Sequence, residues 1–162
     1  MATHSITVTV NGGRERLDAP SNMTLLQLLR EKLAITGAKN GCSAGECGAC
    51  TVLMNGQPVN SCMVLAVEAD GAEIVTVEGL ADGGRARDGQ LTPIQEAFME
   101  HNAVQCGFCT PGMLISAHAL LKRNPHPTEE EIKSAMVGNL CRCTGYLRII
   151  QAVQTAAEKG DA

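Results

Sequence analysis

The chain has 162 residues, a formal net charge of −4, two Phe, one Tyr and no Trp. That length holds one domain or two small ones, and an acidic balance without a basic, aromatic-interleaved stripe argues against nucleic acid as a partner. No apolar stretch approaches the roughly 18 residues of a membrane span. Residues 1–8 lack the basic and apolar regions of a secretory signal, so a cytoplasmic location is expected.

With so few aromatics the core must come from Ala, Val, Leu, Ile and Met, and small domains of that kind gain from cross-links. Eight cysteines in a chain without secretory features favour metal sites over disulfides.

Taken in order, Ile6, Val8 and Val10 alternate with Thr7 and Thr9, which predicts a half-buried strand ending at a turn over Asn11, Gly12 and Gly13. Arg14 to Asp18 then pairs back. Thr24 and Gln27 fit a capping box, with Leu25, Leu28, Leu29 and Leu33 on one helical face. A Gly- and Cys-rich loop covers Gly37 to Cys50. Thr51–Met54 and Gln57–Asn60 flank Asn55 and Gly56, a strong hairpin signal, and Glu73–Val77 alternates as a further strand. These elements predict a small mixed sheet around one helix over residues 1–79. Residues 80–91, Gly-rich and without periodicity, read as a linker.

Residues 92–162 read as wholly helical. Thr92 and Gln95 form a second capping box, and Ile94, Ala97, Phe98 and His101 share a face. Thr110 as N-cap followed by Pro111 starts a helix that buries Met113, Leu114, Ala117, Leu120 and Leu121. Its small residues Gly112, Ser116 and Ala119 form a stripe where a second helix can approach closely. Pro125 and Pro127 break this helix, Thr128 and Glu131 start another, and Thr144 is placed to cap a fourth running from about Tyr146 to Glu158. Four short helices in this order suggest a small bundle.

The cysteines fall into two sets of four. Cys42, Cys47, Cys50 and Cys62 are spaced C-x4-C-x2-C-x11-C, and the spacing through the third matches the plant-type [2Fe–2S] loop. Gly41, Gly45 and Gly48 allow such a loop to turn its N–H groups toward sulfur. A zinc site of four cysteines usually pairs two short knuckles, which this set does not supply. Cys106, Cys109, Cys141 and Cys143 form a C-x2-C and a C-x-C turn separated by 31 residues. That spacing is less specific, and zinc remains an alternative for it. A Rieske arrangement needs two His ligands, but His101, His118 and His126 have no suitable spacing and read as packing or surface residues. A thioredoxin-like pair at Cys106 and Cys109 lacks its βαβ context.

Three runs carry a resemblance: Cys42 to Val52, Gln105 to Gly112, and Gly138 to Tyr146. Together they resemble the iron–sulfur subunit of the xanthine dehydrogenase family of molybdenum hydroxylases, over about residues 4 to 158. Ser43 departs from the family pattern, where Gly or Asp is common. The resemblance implies an α+β chain: a β-grasp ferredoxin-like domain, then a four-helix domain, each with one [2Fe–2S] cluster. It implies that Cys42, Cys47, Cys50 and Cys62 hold the first cluster and Cys106, Cys109, Cys141 and Cys143 the second. It also implies that Gln105 hydrogen-bonds the pterin of a molybdopterin cofactor and that Cys143 is the ligand nearest to it.

The expected function is therefore an electron-transfer subunit, with substrate turned over on a large molybdopterin-binding partner subunit. Electrons would leave from the ferredoxin-like side to FAD on a medium subunit or to another acceptor, in an assembly expected to be a dimer of heterotrimers. The chain has no G-x-G-x-x-G after a strand and is too short for the molybdenum and flavin sites as well. The competing readings are a free two-cluster ferredoxin and a zinc-stabilised interaction module.

Overall fold

The computed structural model describes residues 2–81 and 91–160. Strand β1 (Thr3–Val10) and strand β2 (Gly13–Pro20) form an antiparallel hairpin that pairs Ile6 with Leu17 and Val10 with Gly13. Its turn places Asn11 and Gly12 both at positive φ, 50° and 79°. The turn over Asn55 and Gly56 repeats this at 51° and 78°, joining β3 (Thr51–Met54) to β4 (Gln57–Asn60). Two positive φ values match the right-handed twist of the flanking strands, which is why Asn-Gly reads as a hairpin. Strand β5 (Glu73–Val75) joins the hairpins, parallel to β1 and antiparallel to β3, in the order β2-β1-β5-β3-β4. The predicted extension of β5 to Val77 is absent. Asn11 Oδ1 takes the Thr76 N–H at 2.9 Å, and Val77–Gly79 winds into a 3-10 turn.

One helical stretch packs on this sheet. Helix α1 (Leu25–Gln27) opens with the predicted capping box, Gln27 N–H donating to Thr24 Oγ1 at 3.2 Å and Thr24 N–H to Gln27 Oε1 at 3.0 Å. It then widens into a π turn over Leu28–Lys32. Leu25, Leu26, Leu28 and Leu29 are buried against Ile6, Val8, Val52 and Ile74, while Leu33 is only partly buried.

Four helices follow among the described residues: α2 (Pro93–Glu100), α3 (Thr110–Arg123), α4 (Glu129–Met136) and α5 (Leu147–Lys159). The capping boxes at Thr92/Gln95 and Thr128/Glu131 are both formed. Thr110, by contrast, is not a cap. It is the first helical residue, and Cys109 occupies the cap position without a side-chain hydrogen bond. Thr144 does not cap α5 either, since Tyr146 sits at that N-cap. α2 packs on α5 and α3, and α4 on α3 and α5. Ile94, Phe98, Met113, Leu121, Ile132, Ile149 and Val153 fill the space between them. No described helix is long and apolar enough to cross a membrane.

The helical part rests directly on the sheet. β3 is buried on both faces: Val52 belongs to the sheet's own core and Leu53 to the helical one. Strands buried on both faces read as continuous apolar runs. α3 lies on β3 and β4. At Gly112 and Ser116 its small-residue stripe is met by loops: a Cβ at Gly112 would collide with the Gly48 carbonyl oxygen, and Ser116 Oγ donates to Asn139 Oδ1. The expected linker, residues 80–91, lies mostly outside the described residues; Leu80, at its start, is already buried in the helical core.

Candidate metal centres

Between the π turn and β3, residues 37–50 form no regular element, and three of the first four cysteines lie there. Cys42 is exposed, Cys47 half-buried and Cys50 buried at the foot of β3. The β3–β4 hairpin returns Cys62 to the same place, because Ser61 Oγ donates to the Cys50 carbonyl at 2.7 Å. Gly45 and Gly48 adopt φ of +75° and +68°, and Ser43 adopts +54° with its hydroxyl donating to Asn40 Oδ1 at 2.7 Å. A left-handed Ser is strained, and the hydrogen bond to Asn40 helps hold it there.

This loop turns backbone N–H groups onto sulfur. The Ala44 N–H donates to Cys42 Sγ at 3.3 Å, and with the Cys47 and Glu46 N–H groups it lowers the Cys42 pKa to about 6. Cys50 behaves oppositely: burial, with the neighbouring Cys62 and Cys47, pushes it up to about 11.

The second set comes from two loops of the helical part. Cys106 precedes α3 by one short turn and Cys109 abuts it, the Met113 N–H donating to the Cys109 carbonyl at 3.0 Å. Cys141 and Cys143 follow α4, ahead of a loop with Gly145 and Tyr146 at φ +65° and +68°. The Cys143 thiol donates to Cys106 Sγ at 3.5 Å, an outer pair that is exposed. Cys109 and Cys141 form a half-buried inner pair. Burial, then Cys141, pushes Cys109 up to about 12. The Phe108 N–H and Cys143 lower Cys106. Burial raises Cys141, but hydrogen bonds from Thr144 and the Cys143 N–H leave it lowered overall. Cys143 is raised, chiefly by its bond with Cys106.

In each set burial raises one inner thiol, Cys50 or Cys109, while backbone hydrogen bonds lower one exposed thiol, Cys42 or Cys106. Several thiolates packed into one volume repel, so some sulfurs must keep protons unless a cation takes their place. Ferric iron supplies that charge, and N–H groups aimed at Cys42 and Cys106 suit an anionic iron–sulfur centre. The donor sets fit the group.

The inner edges of the two sets face each other. The Leu140 N–H, next to Cys141, donates to the Cys47 carbonyl at 2.9 Å. Buried Asn139 donates through Nδ2 to the Gly48 carbonyl at 3.1 Å and accepts from Ser116 Oγ at 2.7 Å. On the outer edge of the second set, Gln105 is exposed and has no hydrogen-bond partner among the described residues, beside exposed Val104, Cys106 and Cys143. The histidines lie elsewhere: His101 Nε2 meets Thr155 Oγ1 at 2.7 Å, His118 is half-buried on α3, and His126 is exposed.

Residues 8–81 match the family described as 2Fe-2S iron-sulfur cluster binding domain, and residues 76–154 match the [2Fe-2S] binding domain family. The chain is 51% identical over 155 residues to the nicotinate dehydrogenase small FeS subunit of Eubacterium barkeri, covering 96% of each. It is 52% identical over 151 residues to the nicotine 6-hydroxylase small subunit of Paenarthrobacter nicotinovorans, covering 93% of this chain and 88% of the relative. Among solved structures, quinoline 2-oxidoreductase from Pseudomonas putida 86 has a chain that superposes with TM-score 0.89 at 44% identity, covering 99% of both. The chain belongs to the iron–sulfur subunit family of the molybdenum hydroxylases. In the aldehyde oxidoreductase of Desulfovibrio desulfuricans ATCC 27774 (TM-score 0.90, 40% identity), the match covers 96% of this chain and 17% of that one.

As a member of this family the chain is an electron-transfer subunit of an oxidoreductase, and its two [2Fe–2S]-binding domains exclude the zinc module. Sequence reasoning missed Asn139, Ser116 and the Tyr146 hydroxyl. Asn139 and Tyr146 stand inside the Gly138-to-Tyr146 run, but only the folded loops reveal what they touch. The one available signal was a lone Tyr directly after Gly.

Proposed function

We propose that Cys42, Cys47, Cys50 and Cys62 hold one [2Fe–2S] centre, that Cys106, Cys109, Cys141 and Cys143 hold the other, and that the chain relays electrons from a molybdopterin-bearing large subunit to an acceptor. The observation that carries this is the grouping of the eight thiols into two loop clusters, with Cys143 Sγ 3.5 Å from Cys106 Sγ, joined at their inner edges by the hydrogen bond from Leu140 N–H to the Cys47 carbonyl. A bound [2Fe–2S] centre supplies a one-electron couple at each site. The chain's own residues hold the sulfurs, aim N–H groups at them, and keep Cys50 and Cys109 away from water.

The exposed edge with Gln105 and Cys143 faces the molybdopterin, since a side-chain amide offers both donor and acceptor to a pterin. The first loop, around Glu46, faces FAD on a medium subunit or another acceptor. Residues 1–79 belong to a β-grasp ferredoxin-like domain and residues 92–162 to a four-helix domain. The assembly is a cytoplasmic dimer of heterotrimers.

Affinity purification of the full chain from its native cells tests this. A large subunit retaining molybdenum should copurify, and substrate of that subunit should bleach the brown iron–sulfur colour anaerobically. A brown chain that purifies alone and is bleached only by a free reductase would instead support a diffusing ferredoxin.

A further inference from the structure

Residues 139–141 have their three consecutive N–H groups tied to three separate parts of the molecule. Asn139 N–H donates to the Met136 carbonyl at the end of α4 at 2.9 Å, and Leu140 N–H to the Cys47 carbonyl at 2.9 Å. Cys141 N–H donates to Tyr146 Oη at 2.8 Å. The same Tyr146 hydroxyl donates back to the Asn139 carbonyl at 3.1 Å. One phenol thus closes a ring over the backbone that presents Cys141.

Tyr146 holds this place at φ +68°, a conformation a bulky residue keeps only when its surroundings impose it. Its own N–H donates to Thr144 Oγ1 at 3.3 Å, and that hydroxyl lies 3.2 Å from Cys141 Sγ. Backbone and sulfur of Cys141 are therefore held by adjacent parts of one loop.

Asn139 works toward both sets. It is 4% exposed, and its amide is fully engaged: Oδ1 by Ser116 Oγ, Nδ2 by the Gly48 carbonyl and, at 3.4 Å, by Thr51 Oγ1. Gly48 adjoins Cys47 and Thr51 adjoins Cys50. A buried amide with both ends satisfied specifies one arrangement. The Gly48 carbonyl it meets also accepts from the Thr51 N–H at 3.1 Å and the Thr51 hydroxyl at 2.6 Å, so Asn139 ties the second cysteine loop to a node already built into the first.

We propose that Asn139 and Tyr146 are positioning residues for the two metal sites, Asn139 setting the geometry of both and Tyr146 that of the second alone. This rests on the eight-cysteine assignment above. Neither side chain is a ligand. Each acts by fixing the backbone that aims N–H groups and sulfurs, which tunes the potential of a cluster. A merely structural Tyr146 would contribute its ring to the helical core, against which it packs, and its hydroxyl would be dispensable.

The test uses the complete complex with its partner subunits, titrated potentiometrically and followed by electron paramagnetic resonance. Tyr146→Phe keeps the ring and removes only the hydroxyl. It should retain full iron, leave the first-site signal and midpoint at wild-type values, and change the second-site line shape. At the wild-type midpoint it should also change the second site's reduced-to-oxidised ratio several-fold. Asn139→Asp keeps the shape and the Ser116 bond but turns an oxygen toward the Gly48 carbonyl; it should shift both sites. An unchanged second site in Tyr146→Phe overturns the proposal, as does an equal shift of both sites in that variant. So does an Asn139→Asp complex altered at one site or neither. If Asn139→Asp lowers iron loading, loss from both sites together supports the proposal and loss from the second alone contradicts it. Failure of the ligand assignment itself shows earlier and separately, as a wild-type complex without two iron–sulfur signals.

Discussion

At the scale of single residues, the structure separates thiols that otherwise look equivalent. In the iron-free chain, Cys42 has a pKa of about 6 because the Ala44, Cys47 and Glu46 N–H groups favour its thiolate, whereas Cys50 is at about 11 and Cys109 at about 12. The thiolate is the reacting form, so alkylation of the iron-free chain at neutral pH should label Cys42 well ahead of Cys50 and Cys109. Labelling of Cys42 should slow as the pH falls through 6, where its sulfur gains a proton. Equal rates at Cys42 and Cys109, read by mass spectrometry, would contradict this ordering. Gln105 belongs to the same scale. Gln105→Ala should leave both metal sites loaded yet weaken docking of the large subunit or slow the first electron transfer. The loss is on the order of 1 kcal/mol for one hydrogen bond, and larger if a buried pterin group is left unpaired. Rapid reduction by substrate, followed separately at molybdenum, iron–sulfur and flavin, checks it. An effect confined to flavin would reverse the orientation.

At the scale of elements, local chemistry made much of the fold legible. Two Asn-Gly turns and three Ser/Thr-type capping boxes form as expected, at Thr24, Thr92 and Thr128, because each is decided by residues within a few positions. Thr110 and Thr144 failed as caps for a different reason: each directly follows a cysteine of the second set, and Cys109 and Tyr146 take the cap positions. The π turn at Leu28–Lys32 left no sequence mark, since Leu28 and Leu29 stay buried in either winding. The ligand sets were legible because cysteine is rare and its spacing is read directly. Asn139 and Ser116 were not, because their bond joins residues 23 apart and their partner Gly48 lies in the other half. The small stripe on α3 was legible, but its Gly112 and Ser116 meet loops where a helix was expected. Gly112→Ala should push α3 off the Gly48 carbonyl and cost on the order of 1–3 kcal/mol, as overpacking does. Chemical denaturation should show that loss together with reduced iron at both sites, because the displaced backbone belongs to the first cysteine loop. A wild-type midpoint and full iron in Gly112→Ala would mean that the two halves do not bear on each other there.

At the scale of the molecule, the sheet and the helices meet along β3, α3 and the loop at residues 138–141. That contact places the inner edges of the two cysteine sets opposite each other while leaving one outer edge of each exposed: Cys42 for the first, and Cys106 with Cys143 for the second. Such an arrangement serves a relay, with each exposed edge open to a partner and the inner edges joined inside one chain. Such a relay requires every cysteine to be a ligand in one of two separate [2Fe–2S] sites. The most direct measurement is iron, sulfide and zinc analysis of the purified complex, with electron paramagnetic resonance of the partly reduced protein and of two single variants. About four iron and four sulfide per chain and two distinguishable signals are expected. Cys47→Ser should abolish only the first signal and Cys109→Ser only the second. Iron near half that amount with zinc making up the difference, or a single signal lost in both variants, would contradict the two-site assignment.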